Sequence, residues 1–182
     1  WKQLAAARTS EAEQAVRRWM QRKPKHHAYA LAFHECYREL DAQIAFPWLA
    51  VNSIEALRRQ QRTKDAVQLE WNPADWRWDN ILPARSQLQH LEADLLEEAT
   101  RSTQAHWYRT EKRFLSVLVR VVKALQRKFA GHEQTTDDFV VYIDDEEGDL
   151  DLIRRCVPAR LFRKHFARHA NPDLREGDPR AG

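Results

Sequence analysis

The sequence predicts an α/β fold of the mixed α+β kind: a single compact domain with a small, mostly antiparallel sheet of about four strands packed with five or six helices. Three observations lead there. Stretches near both ends carry apolar residues at the spacing of an amphipathic helix. Short β-branched and aromatic runs lie between them. Glycine is scarce, at 4 of 182 residues, which argues against a turn-rich all-β fold and against a glycine-rich phosphate loop. Hydrophobic content of 43% and charged content of 31% fit a folded soluble domain rather than a disordered chain. A chain of this length buries roughly 70% of its unfolded surface and needs no covalent or metal staples.

Taken in order, residues 3–22 place Leu4, Ala5, Ala12, Ala15, Val16, Trp19 and Met20 at helical spacing. Lys23-Pro24 ends that helix, because the residue before a proline is pushed out of helical space. HAYALAFHECY (27–37) alternates loosely and reads as a strand, RELDAQ (38–43) as a polar hairpin connection, and IAFPWLAV (44–51) as a second strand. Pro47 has no N–H for a ladder, so it marks an edge or a bulge. Asn52 or Ser53 caps a helix running to about Arg62, with Glu55 three residues after Asn52 in the manner of a capping box. VQLEW (67–71) is a short strand, and Asn72-Pro73 then opens a helical turn, an N-cap followed by proline at the first helical position. Pro83 opens a helix with Leu88, Leu91, Leu95 and Leu96 on one face. Ser102 or Thr103 caps a long helix to about Ala130. Its stripe is Trp107, Phe114, Leu118, Val121, Val122, Leu125 and Phe129, and Gly131 is placed for the C-cap. DDFVVYIDD (137–145) is the clearest strand; GDLDLIRRCVP and ARLFRKHFARH (159–169) are helical, with Pro158 at the junction. The domain spans 1–170, and 171–182, polar with Pro and Gly, is a flexible C-terminal tail.

Net charge is only +3, but its distribution is uneven. Residues 1–27 hold seven Lys/Arg against two Glu, residues 137–151 hold eight Asp/Glu and no base, and residues 154–182 hold eight Lys/Arg against three acids. That is a dipolar surface rather than a uniform basic face. No run of 18 apolar residues occurs, so no membrane is expected as a partner. Cys36 and Cys156, far apart in ordinary surroundings, read as free thiols in a reducing cytoplasm.

Two stretches invite a functional reading. Trp71, Trp76 and Trp78 fall within eight residues of otherwise polar sequence. They read either as a core lock or as a recognition surface with one ring left as an anchor. In the structural reading Trp71, Asn72, Pro73 and Asp75 form a corner, Asp75 suiting the first turn of a helix. The acid run Asp137, Asp138, Asp144, Asp145, Glu146, Glu147, Asp149 and Asp151 has three readings. It is a solvated strand border, a carboxylate set for a divalent metal, or a patch imitating a phosphate backbone that blocks a basic cleft. The metal reading lacks a Glu-x-Lys on a neighbouring strand and matches no EF-hand loop. His165 and His169 share a helical face at i, i+4, but zinc wants three or four ligands and Lys164 and Arg168 repel a cation. His26-His27 reads as surface. No nucleophile motif and no phosphate loop occurs, so no catalytic residue, metal or cofactor is assigned. The charges from Arg154 to Arg168 share a helix with Leu161, Phe162 and Phe166, which leaves nucleic-acid binding a secondary reading.

The order of these motifs resembles a known family. A Tyr-Ala-Leu-Ala-Phe strand (29–33) precedes an Asn-Ser-x-Glu helix start (52–55). Trp-Asn-Pro-Ala-Asp-Trp (71–76), Asp-Asp-Phe-Val-Val-Tyr (137–142) and a Val-Pro ending (157–158) follow. Over about 25–160 the chain is similar to a bacterial domain of unknown function, number 4303. That family has Trp-Ser-Pro-x-Glu-Trp in the middle motif and Thr-x-Asp-Phe-Val-Val-Tyr in the late one. Here Asn72 and Asp75 stand for its Ser and Glu, keeping the cap and the acid. The resemblance implies a cytoplasmic α/β domain with no assigned activity. Related small bacterial domains are often encoded beside secreted toxins, where they act as immunity proteins. The expectation is therefore a non-enzymatic protein that neutralises a cognate toxin encoded nearby, with Asp144, Asp145, Glu146, Glu147, Asp149, Trp76 and Trp78 at the contact surface. The alternatives are a metal-dependent hydrolase using Asp137, Asp138 and Asp144 with a distant His, and a nucleic-acid binder.

Overall fold

In the computed structural model, residues 1–36, 38–39, 43–61, 70–84, 88–101, 103–145 and 149–167 are described. The element order is α1 (Lys2–Arg22), β1 (Ala28–His34), β2 (Arg38–Glu39), β3 (Gln43–Ile44), β4 (Trp48–Ser53) and α2 (Ile54–Gln60). A 3₁₀ turn (Pro73–Asp75) follows, then α3 (Gln89–Thr100), α4 (Gln104–Phe129), β5 (Thr135–Ile143), α5 (Leu150–Cys156) and α6 (Ala159–His165). The main sheet has three strands in the order β4-β1-β5, and β2 and β3 form a separate two-stranded ladder.

The α/β class stands, but the sheet is smaller and less antiparallel than expected. β1 runs antiparallel to β4 (Leu31 opposite Val51) and parallel to β5 (Leu31 opposite Val141). A parallel pair needs a long crossover, which the chain between β1 and β5 supplies. All seven β1 residues are buried, because both faces of the sheet are covered. That explains why the alternation of 27–37 is loose. The expected strand at 67–71 falls mainly outside the described residues, as does the tail 171–182; Glu70 and Trp71 form a bend.

One apolar cluster runs from Leu4 on α1 to Phe166 beyond α6. The α4 stripe is buried as expected, and Thr103 caps that helix by accepting from the His106 N–H. Gly131, just past the cap residue, has φ +78°, the left-handed conformation for which glycine is suited. Because β5 is an edge strand, its outer backbone groups need partners. The buried Gln126 side chain supplies two, accepting from the Val141 N–H at 2.8 Å and donating to the Phe139 carbonyl at 3.0 Å.

Two local expectations are corrected. Ser53 alone caps α2, accepting from the Ala56 N–H; the Glu55 carboxylate turns away to the His27 backbone N–H and ring, so no capping box forms. The helix expected from Pro83 begins only after Leu88, and Leu96 is exposed rather than on the buried face. Arg8, a charged residue on α1, is 3% exposed. Its guanidinium donates to the Pro47 carbonyl and to Glu11 and lies 5.5 Å and 5.4 Å from the Phe33 and Phe46 ring centres. Those contacts fix the bend at Pro47 where β4 begins.

Candidate functional site

Since β1 and β5 are parallel, their carboxyl ends emerge at one edge of the sheet. The antiparallel β4 brings its first residue, Trp48, opposite His34 at that same edge. Beyond Ile143 the Asp144 N–H donates to the Phe33 carbonyl at 2.8 Å, extending the ladder by one bond. Glu35 leaves β1 with φ +57°, a left-handed conformation that is uncommon outside glycine. Such strain is characteristic of ligand sites and tight functional turns.

The tryptophan corner closes one side. Positions 28, 30 and 32 of β1 are alanine, which leaves room over the sheet for large rings. Trp76, 3% exposed, packs edge-on to Tyr29 and Tyr142. Burial pushes both tyrosine hydroxyls well above their ordinary range, so they act as donors. Tyr29 donates to the Glu70 carbonyl at 2.6 Å and Tyr142 to the Trp71 carbonyl at 3.1 Å. Two adjacent strands thus pin two consecutive carbonyls. Past the corner, the Val51 N–H donates to the Trp78 carbonyl, and the Ile81 N–H to the Leu49 carbonyl, so the chain runs along the free edge of β4. His34 Nε2 donates to the Asp79 carbonyl at 2.6 Å.

The result is an open cleft of about 460 Å³ lined by His34, Glu35, Trp71, Asn72, Ala74, Asp144 and Asp145. In open α/β sheets the crevice outside the carboxyl ends of the strands is where ligands bind. Burial, reinforced by the charge of Asp145, pushes the Asp144 carboxyl up to about 7. Asp145 is 6% exposed and His34 4% exposed. Trp71 is half-buried, its inner side against Tyr29, Tyr142 and Phe166 and its ring centre 4.9 Å from that of His165. Trp48, 46% exposed, stands edge-on to His34 with ring centres 6.0 Å apart.

The residues expected at a contact surface divide. Asp144 and Asp145 line the cleft, drawn inward rather than spread over a solvated patch. Glu146 and Glu147 lie outside the described residues. Asp149 caps α5, accepting from the Asp151 and Leu152 N–H groups. Trp76 belongs to the core, because only a buried ring can fill the space over the alanines. Trp78 is half-buried between Trp19 and His26, with ring centres at 5.3 Å and 5.0 Å. His26, expected at the surface, is held there and bonded to the Ser53 hydroxyl. Pro73 is buried as a corner residue should be, whereas the Asn72 amide caps nothing and donates to the Asp75 carboxylate at 2.8 Å.

The residues behind the other readings are placed as follows. Asp138 is paired with Arg160 and Lys164. It lies six residues from Asp144 along an irregular strand, at most about 20 Å at the usual rise. Among the described residues no group of three or more His, Cys, Asp or Glu could hold a metal ion. Arg154 pairs with Asp151 and lies over Phe162. His169 lies outside the described residues. Neither cysteine forms a disulfide and both are buried, and burial pushes the Cys156 thiol up to about 12, which keeps it protonated. No helix among the described residues is long and apolar enough to cross a membrane. Sequence reasoning missed Glu35, His34 and Trp48. The exposed Trp48 beside Pro47 at a strand start was the available signal, while a left-handed Glu35 has none.

Fold and cleft together define a small mixed α/β domain with an acidic, aromatic-walled crevice at the carboxyl ends of a parallel strand pair. The chain belongs to the family described as Domain of unknown function (DUF4303), whose model matches residues 9–161. The match takes in every cleft residue and extends the resemblance through most of α1. Comparison with curated proteins and with solved structures returned no match.

Proposed function

We propose that this protein is a non-enzymatic binding protein that neutralises a cognate secreted toxin by direct protein–protein contact. The observation that carries the reading is the acidic cleft with an exposed tryptophan at its edge. The cleft carboxylates, with Trp48 exposed at the same sheet edge against His34, combine a charge that selects a basic partner with the kind of aromatic anchor that dominates interface energies. The rigid corner supports the same reading, because a surface pinned by two tyrosine hydroxyls loses little freedom on binding. Mixing the purified protein with the product of its adjacent gene is expected to give one complex in size-exclusion chromatography, weakened by Trp48→Ala. Two separate peaks at micromolar concentration would overturn the proposal.

A further inference from the structure

We propose that the exposed face of α4 is a docking surface for duplex DNA, held by its phosphate backbone. None of the residues involved lines the cleft. The surface therefore stands or falls apart from the toxin reading.

The first observation is placement. An α-helix turns about 100° per residue. From Arg109 to Arg127, the positions that share one arc of roughly 100° are Arg109, Lys112, Arg113, Ser116, Arg120, Lys123 and Arg127. All but Ser116 are cations, and those six are exposed. They extend about 27 Å along the helix axis. The only acid of α4, Glu111, points roughly 160° away from the middle of that arc. Phe114, Leu118, Val121 and Leu125 lock the opposite face into the core, so α4 cannot turn to spread its charge. The positive field continues sideways, because Lys123 and the exposed Arg155 of α5 both act on the buried Cys156 thiol.

The second is pairing. A merely solvated helix face alternates its signs. The neighbouring elements do so: Glu13 takes Arg17 and Lys128, Glu97 and Glu98 take Arg101, and Asp151 takes Arg154. Among the described residues none of the six α4 cations makes an ion pair. Like charges one turn apart, as in Arg109–Arg113 and Lys123–Arg127, oppose the helix, so stability does not account for the stripe. The third is the fit of the occupant. B-DNA carries a charge every 1.7 Å or so of its axis, so it meets a straight cationic row at any register. Its wide groove, about 12 Å across, matches a helix of roughly 10–12 Å with side chains. Lys112 and Lys123 on one side of the arc, and Arg113 and Arg120 on the other, then face phosphates at the two rims. Duplex RNA has a narrow groove instead. Single strands need rings to stack on, and the arc carries none. A membrane surface wants an apolar face to bury, which α4 has spent on the core. A protein interface wants an apolar or aromatic centre, which this face lacks. The basic segment Arg154–Arg168 does not supply this surface, since Arg154, Arg160 and Lys164 are already paired.

The test uses the whole chain and a labelled DNA duplex of about 20 base pairs, followed by fluorescence anisotropy from about 50 to 200 mM NaCl. Affinity is expected to fall about 500-fold over that range, a log–log slope between about −4 and −5 for six phosphate contacts. The double variant Arg113→Gln/Arg120→Gln is expected to flatten the slope by about 1.8 and to weaken binding at least about tenfold at the lowest salt. Arg58→Gln/Arg59→Gln removes the same charge from exposed positions on α2 and is expected to change neither. Thermal unfolding by circular dichroism checks that both variants fold; should the first fail, Lys112→Gln/Lys123→Gln takes its place. Absence of binding at about 50 mM NaCl, or an equal loss in the α2 variant, would overturn the surface. So would tighter binding to duplex RNA, to phosphatidylserine vesicles or to polyglutamate than to the DNA duplex.

Discussion

Replacing Asp144 by Asn is expected to stabilise the fold at pH 8 and to do nothing at pH 4. The carboxyl has an ordinary value of 3.8 and is pushed up to about 7 in the folded chain by burial, then by Asp145. Between those two values the folded state holds a proton that the unfolded state has lost. Stability follows the protons bound by the unfolded state minus those bound by the folded state, so it falls as pH rises from about 4 to about 7 and is level on either side. A gap of about three pK units at 1.36 kcal/mol each bounds the effect near 4 kcal/mol. The cleft is open, and water reaching the ionised carboxylate reduces that to about 2 kcal/mol. Asparagine keeps the shape and cannot ionise. It also relieves Asp145 and Glu35 of a neighbouring charge, which adds with the same sign, while the His34 ring across the cleft is common to both proteins. Urea unfolding of the two proteins at pH 4, 6 and 8, read by circular dichroism with equal slopes, measures the difference directly. A difference that is constant across pH, or that grows toward acid, would refute the reasoning.

Gln126→Leu is expected to cost about 2–4 kcal/mol, since it leaves the buried Val141 N–H and Phe139 carbonyl without partners on the outer edge of β5; a loss under about 0.5 kcal/mol in urea unfolding would show that water replaces the amide. Trp76→Ala is expected to cost about 3–5 kcal/mol as a core cavity, whereas Trp48→Ala, at an exposed ring, should stay within about 0.5 kcal/mol. Thermal unfolding that ranks the two in the opposite order would move the structural ring to the cleft edge. Burial pushes the Glu55 carboxyl up, but hydrogen bonds from the His27 ring and backbone outweigh it and hold it at about 2. Its contribution is thus present above pH 4.5 and lost as pH falls toward 2. With much of the group in solvent, Glu55→Gln should cost under about 1 kcal/mol at pH 7 and less at pH 3; an acid-independent cost would point to lost packing instead.

What could be read in advance followed from local physics. The stripe from Trp107 to Phe129 and the β-branched run at 139–143 carry their own periodicity, so α4 and β5 were legible. The direction of β5 was not. No residue in DDFVVYIDD encodes whether its neighbour runs parallel, and the antiparallel expectation came from hairpin-like spacing earlier in the chain. That single topological fact decides the site, since it places Asp144 beside Glu35 and not at the far end of β1. The acid run shows the same gap between composition and geometry. Eight carboxylates look alike in sequence, yet Asp138 is paired, Asp149 caps a helix and Asp145 is buried. The burial of Arg8 was not legible for a related reason, because its partners Pro47, Phe33 and Phe46 are tens of residues away.

The tryptophan corner belongs to both the structure and the site, and this limits which substitutions can tell the two apart. Trp76 only fills the core, and Trp71 has one side on the Tyr29–Tyr142 pair and lines the cleft with the other. Removing Trp71 therefore lowers stability and recognition together, and a lost complex would say nothing about contact. Trp48 and Asp144 are different. Trp48 rests on the surface of a strand already fixed by Arg8 through Pro47, and Asp144 is held by its backbone N–H rather than by its carboxyl. Changing either side chain leaves the frame in place, and for Asp144→Asn the frame should grow firmer at neutral pH while the cleft loses its charge. A variant that folds better and binds worse is the outcome that a purely structural role for the cleft cannot produce.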